Sequence, residues 1–139
     1  MTKFFTLSSA ACVGAAVASW FGGWTGAMTT LVILMLIDYV TGLIVAGVFH
    51  ASPKSSGGAL SSAVGFKGIC RKFVILLIVV VACRVDLLLN THIIRDATCI
   101  GFCANELLSI TENAGLMGIP LPRKLTDAIE VLRGEDDHV

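Results

Sequence analysis

The chain has 139 residues, with ten basic and ten acidic side chains and a formal net charge of zero. Charged residues make up 14% and hydrophobic ones 55%, against about 25% charged in an ordinary soluble domain. That balance excludes a wholly water-facing surface and gives no electrostatic reason to expect nucleic-acid binding, so lipid is the expected solvent for most of the chain.

The first apolar segment runs from about residue 4 to 21. Lys3 ahead of it and Ala16-Val17-Ala18 within it resemble a cleavable leader. The apolar character continues through Trp20 and Phe21, so a retained membrane segment is expected. Gly14 and Ala18, with Ala11 and Ala15, space small residues along it, a pattern that lets helices approach closely in lipid. Gly22-Gly23-Trp24-Thr25-Gly26 follows. Its glycines predict a tight turn, and Trp20 and Trp24 place that turn at headgroup level.

The second segment, 27–49, reads AMTTLVILMLIDYVTGLIVAGVF. At about 1.5 Å per residue, a helix of this length crosses a hydrocarbon core of roughly 30 Å. Asp38 lies near its middle. A carboxylate there costs at least about 2.5–3.5 kcal/mol, so a partner or a purpose is expected for it. Gly42 and Ala46 repeat the small-residue spacing on this segment.

A serine- and glycine-rich connector, His50 to Gly68, carries Lys54 and Lys67, with Arg71 and Lys72 just beyond and no acid. By the positive-inside rule this basic loop is cytoplasmic. The N-terminus is then also cytoplasmic, and the Gly-Trp turn and Asn90 to His92 lie outside. The third segment covers 69–89. The fourth, 93–111, is weaker because it holds Arg95, Asp96, Asn105 and Glu106. If it spans, Arg123, Lys124 and Arg133 return to the cytoplasm, as the same rule requires. Three spans would put them outside, so four are preferred.

After Glu112 the chain breaks at Gly115, Gly118, Pro120 and Pro122. In 123–133, Leu125, Ala128, Ile129 and Leu132 recur at helical spacing. This predicts a short amphipathic helix, either a frayed, solvated tail or a cytoplasmic helix that contacts headgroups or a neighbouring subunit, with Glu135-Asp136-Asp137 closing the tail. The expected fold is therefore an all-α integral membrane protein: helical hairpins with three to four transmembrane helices in residues 1–112, then a cytoplasmic tail, 113–139.

No nucleophile stands beside a base, and Gly65-Phe66-Lys67-Gly68 lacks the spacing and hydroxyl of a phosphate loop. Neither enzyme activity nor a cofactor is expected. Cys12, Cys70, Cys83, Cys99 and Cys103 read as small, reduced side chains, and His50, His92 and His138 are scattered, so no metal site is expected. What remains is the set of intramembrane polar groups. Asp38 and Glu106 lie roughly 16 Å from the outer ends of their segments, and Arg84 roughly 9 Å. Arginine reaches several ångströms along a helix, so Arg84 could meet either acid or snorkel outward. Asp38, Arg84, Glu106 and Asn105 are thus candidates for an intramembrane network, either ion-paired or lining water. Self-association is the simplest way for so few spans to bury it.

Four strings in order carry a resemblance. They are Gly22-Gly23-Trp24; Ile37-Asp38-Tyr39-Val40-Thr41-Gly42; Gly65-Phe66-Lys67-Gly68 leading to Lys72; and Asn105 to Asn113 followed by Gly118-Ile119-Pro120-Leu121-Pro122. From about Gly22 to Leu132 the chain resembles the phage-lysis and toxin-secretion holins. The resemblance implies a small protein of the bacterial cytoplasmic membrane that homo-oligomerises and opens lesions at a programmed time. A phage endolysin, or in some relatives a toxin, then passes through. The chain departs from the expected pattern in its cysteine-rich third and fourth segments and at Arg84. Two other readings fit four short helices. A small multidrug-type transporter would carry its acid in segment one, which has none. A membrane adaptor recruiting a soluble partner would not release dye from liposomes.

Overall fold

The computed structural model describes the backbone of residues 2–133 and the side chains of residues 11–132. The acidic tail and the side chains of Lys3 and Arg133 lie outside the described residues. Five helices follow in order: α1 (Thr2–Trp20), α2 (Gly26–Gly47), α3 (Ser62–Leu89), α4 (Ile93–Leu116) and α5 (Arg123–Arg133). Among the described residues only α2 is long and apolar enough, by length and composition, to cross a membrane. Three or four spans therefore do not follow from the helices alone. Lys67, Arg71 and Lys72 toward its N-terminal end and Arg84 and Asp86 toward its C-terminal end interrupt α3, and the polar residues of α4 lower its apolar content.

Two helices are longer than the apolar pattern predicts. α3 starts at Ser62, not Ile69, because Gly65 and Gly68 do not break it. A Cβ on Gly65 would stand 3.6 Å from the Tyr39 hydroxyl, and one on Gly68 would stand 3.9 Å from the Tyr39 ring. These glycines let α3 approach Tyr39 of α2. α4 runs past Thr111 to Leu116 because Asn113, which reads as a loop residue, finds partners on α2.

α4 is the centre of the packing, lying against α2, α3 and α5, while α2 and α3 touch each other little. Met28, Leu31 and Met35 of α2, Val79 of α3, and Cys99 and Cys103 of α4 form the core together with Phe21. Cys83 is also buried, whereas Cys12 and Cys70 are exposed. Outward faces are apolar: Leu36, Phe73, Val81 and Ile93 are each more than 60% exposed. α1 is exposed nearly all round from Ala11 to Trp20. Gly14 is open there and Ala18 half-buried, whereas Ala46 is buried and Gly42 lies beside Asn113 of α4. Of the two small-residue stripes, the one on α2 therefore packs within the chain.

The α1–α2 turn and the α3–α4 turn meet at one end. Thr25 caps α2 by accepting from the Met28 N–H, and the Trp24 indole donates to Thr29 at 2.7 Å. Arg95, buried at the start of α4, donates to the carbonyls of Phe21 at 3.3 Å and Gly22 at 3.5 Å. Gly22 has φ +63° and a Cβ there would lie 2.6 Å from the Cys83 sulfur. Gly22→Ala is expected to destabilise by about 1–3 kcal/mol. Cys83→Ala in the same chain should recover part of that by opening space, leaving the backbone strain. Thermal unfolding of the detergent-solubilised chain reads both, and an unchanged midpoint for Gly22→Ala would contradict the contact.

α5 meets α4 through Ile129, which is 4% exposed, while Leu125, Ala128 and Leu132 stay open. Only part of its apolar face is used within the chain.

Candidate functional site

The two acids anticipated inside the bundle do meet, and Lys72 joins them. Its Nζ donates to Asp38 Oδ2 at 2.7 Å and to Glu106 Oε2 at 2.5 Å. One ammonium thus links α2, α3 and α4. The three side chains are 17%, 13% and 8% exposed. Each lies about ten residues, roughly 15 Å, from the same end of its helix. That end is opposite the Arg95 cluster.

A second layer fixes Asp38. Asn113 Nδ2 donates to Asp38 Oδ1 at 3.3 Å and to the Thr41 hydroxyl at 3.0 Å. The Thr41 hydroxyl in turn donates to the Asp38 carbonyl at 3.0 Å. The carboxylate therefore has a cation on one oxygen and an amide on the other. Groups held in this way are costly to separate, because each would be left desolvated without a partner.

Arg84 does not join the network. It is exposed and donates to the Ser19 carbonyl at 3.3 Å. Asn105 is exposed and makes no hydrogen bond to the triad; it lines the cleft beside it. Lys72, taken as part of the cytoplasmic basic loop, is instead the central cation. Once α3 begins at Ser62, Lys72 lies well inside the helix. Only with α3 starting at Ser62 and α4 ending at Leu116 do Asp38, Lys72 and Glu106 share one depth, so the apolar pattern alone does not reveal the match. Lys54, Lys67 and Arg71 remain exposed around the mouth of the cleft. Asp86, which sequence reading passed over, is buried. It accepts from the Thr91 hydroxyl at 2.5 Å and from the Ile94 and Arg95 N–H groups at 3.1 and 2.8 Å.

The model of the bacteriophage holin family matches residues 15–134. The chain belongs to that family. A probable holin of Bacillus phage phi105 is 32% identical over 109 residues, covering 78% of this chain and 75% of its own. An uncharacterised protein of Halalkalibacterium halodurans is 40% identical over 134 residues, 92% of this chain and 93% of its own. One of Listeria monocytogenes is 40% identical over 112 residues, 78% and 74% respectively. No solved structure matches.

Three of the four strings that carry the holin resemblance converge on the site, while Gly22-Gly23-Trp24 lies at the other end with Arg95. Ile37 to Gly42 brings Asp38 and Thr41, Gly65 to Gly68 leads to Lys72, and Asn105 to Asn113 brings Glu106 and Asn113. In this holin-family chain, segments far apart in sequence build one three-helix ion-pair site. No group of three metal-ligating side chains occurs among the described residues.

Proposed function

We propose that the chain acts as a holin. It accumulates in the bacterial cytoplasmic membrane, self-associates and opens lesions through which an endolysin reaches the cell wall. The Lys72 triad carries this reading: charges paired between helices whose outward faces are apolar. Paired, they sit in a bundle that lipid tolerates. Separated, they become polar surface suited to line water. In this reading α1 to α4 all cross, the N-terminus and α5 are cytoplasmic, and the 48–61 connector with Lys54 faces the cytoplasm together with Lys67 and Arg71 at the start of α3. The neighbour of each copy is another copy, which supplies the cover that α1 lacks within one chain.

Timed expression in a bacterium, with and without an endolysin that lacks its own export signal, tests the function. Abrupt growth arrest is expected in both cases and lysis only with the endolysin. Gradual or absent arrest would overturn the reading. The double substitution Asp38→Asn with Glu106→Gln should shift the onset of arrest. If lesions still form and the onset is unmoved, the triad has no part in triggering.

A further inference from the structure

We infer that the cleft between α3 and α4, beside the triad, binds the headgroup and upper acyl chain of an anionic glycerophospholipid. The inference rests on the reading that these helices face a bilayer. The cleft encloses about 750 Å³. Its lining includes four cations, Lys54, Lys67, Arg71 and Lys72, against two acids, Asp38 and Glu106. Lys72 is committed to both acids. Lys54, Lys67 and Arg71 are exposed and make no ion pair among the described residues. The charge surplus therefore lies at the inner mouth.

Both walls change character in the same direction. Along one face of α3, Lys67 and Arg71 give way to Val74, Ile75 and Ile78 at helical spacing. Along α4, read from its C-terminal end, Ser109 and Asn105 give way to Phe102. Both polar ends lie toward the connector, because α3 begins there and α4 ends there. The connector folds back so that the Lys54 N–H donates to Ser52 Oγ, and Lys54 lines the mouth of the cleft. A free phosphate would use only the basic mouth. A phospholipid matches the whole gradient, with phosphate oxygens at Lys67 and Arg71 and a chain along Val74 and Ile78. Basic pockets between membrane helices on the cytoplasmic side suit anionic headgroups for this reason.

The test is native mass spectrometry of the full chain released from mixed micelles of phosphatidylglycerol and phosphatidylcholine. Selective retention of phosphatidylglycerol is expected. Lys67→Gln and Arg71→Gln should each weaken it about fivefold, while Lys124→Gln on α5 leaves it unchanged. Ile78→Trp, which fills the apolar part without adding charge, should also reduce retention. Equal retention of the two lipids by a membrane-inserted chain would overturn the lipid site alone. Loss of retention in Lys124→Gln equal to that in Arg71→Gln would reduce it to general surface charge and overturn it. Retention unaffected by Ile78→Trp but abolished by inorganic phosphate would overturn the acyl-chain part. Failure of the chain to insert would overturn both this site and the membrane reading. Selective retention without growth arrest would leave the lipid site standing and remove the holin function.

Discussion

Lys72→Met is expected to destabilise the fold by about 3–5 kcal/mol, the cost of leaving buried charge without its partner. The effect should be this large because one ammonium serves two carboxylates, and all three groups are at most 17% exposed. Methionine keeps the length and packing of the lysine stem, so the change isolates the charge. Asp38 Oδ2 and Glu106 Oε2 would then face each other with no cation between them. Adding Asp38→Asn and Glu106→Gln to Lys72→Met should recover most of the loss, since a fully neutral site of similar volume has no ion to strand. Thermal unfolding of the detergent-solubilised protein, with its level in the membrane fraction, reads both steps. A triple variant no better than the single would show that the loss does not come from carboxylates left without their cation.

Asp86→Ala is expected to cost about 2–3 kcal/mol, from the opposite end of the bundle. Its carboxylate accepts from Thr91 and from two first-turn N–H groups of α4. Alanine leaves the Ile94 and Arg95 amides without acceptors, in a place where Arg95 is itself buried. Arg95 holds the α1–α2 turn through the Phe21 and Gly22 carbonyls, so the loss should spread to that turn. Asp86→Asn keeps one acceptor oxygen and should recover part of the stability. Hydrogen exchange at the Ile94 and Arg95 amides, beside the unfolding midpoint, distinguishes a lost cap from a general loosening. Unchanged protection at both amides would refute the capping role.

The helical character and most helix starts were legible because apolar periodicity and glycine or proline breaks determine them locally. α2, α4 and α5 begin within a residue of the pattern. The start of α3 was not legible. A glycine reads as a breaker unless the neighbour that needs its missing side chain is known, and for Gly65 and Gly68 that neighbour is Tyr39 on another helix. The site was legible in part. Asp38 and Glu106 are conspicuous by their cost in apolar surroundings, and they do share a partner. Their cation was misassigned because the third segment was started at Ile69, which left Lys72 beside the basic loop and counted with it, whereas the helix begins at Ser62. Asn113 was hidden for a similar reason: its partners, Asp38 and Thr41, lie far away in sequence.

One ammonium shared between two acids has a mechanical consequence. α3 touches α2 only lightly, while α2 and α4 pack closely. α3 also packs against α4, so a movement that parts α3 from α2 alone leaves Lys72 with Glu106 and frees Asp38, whereas a movement away from both helices breaks both pairs together. The order in which the helices separate therefore decides whether one acid or two would be left without a cation.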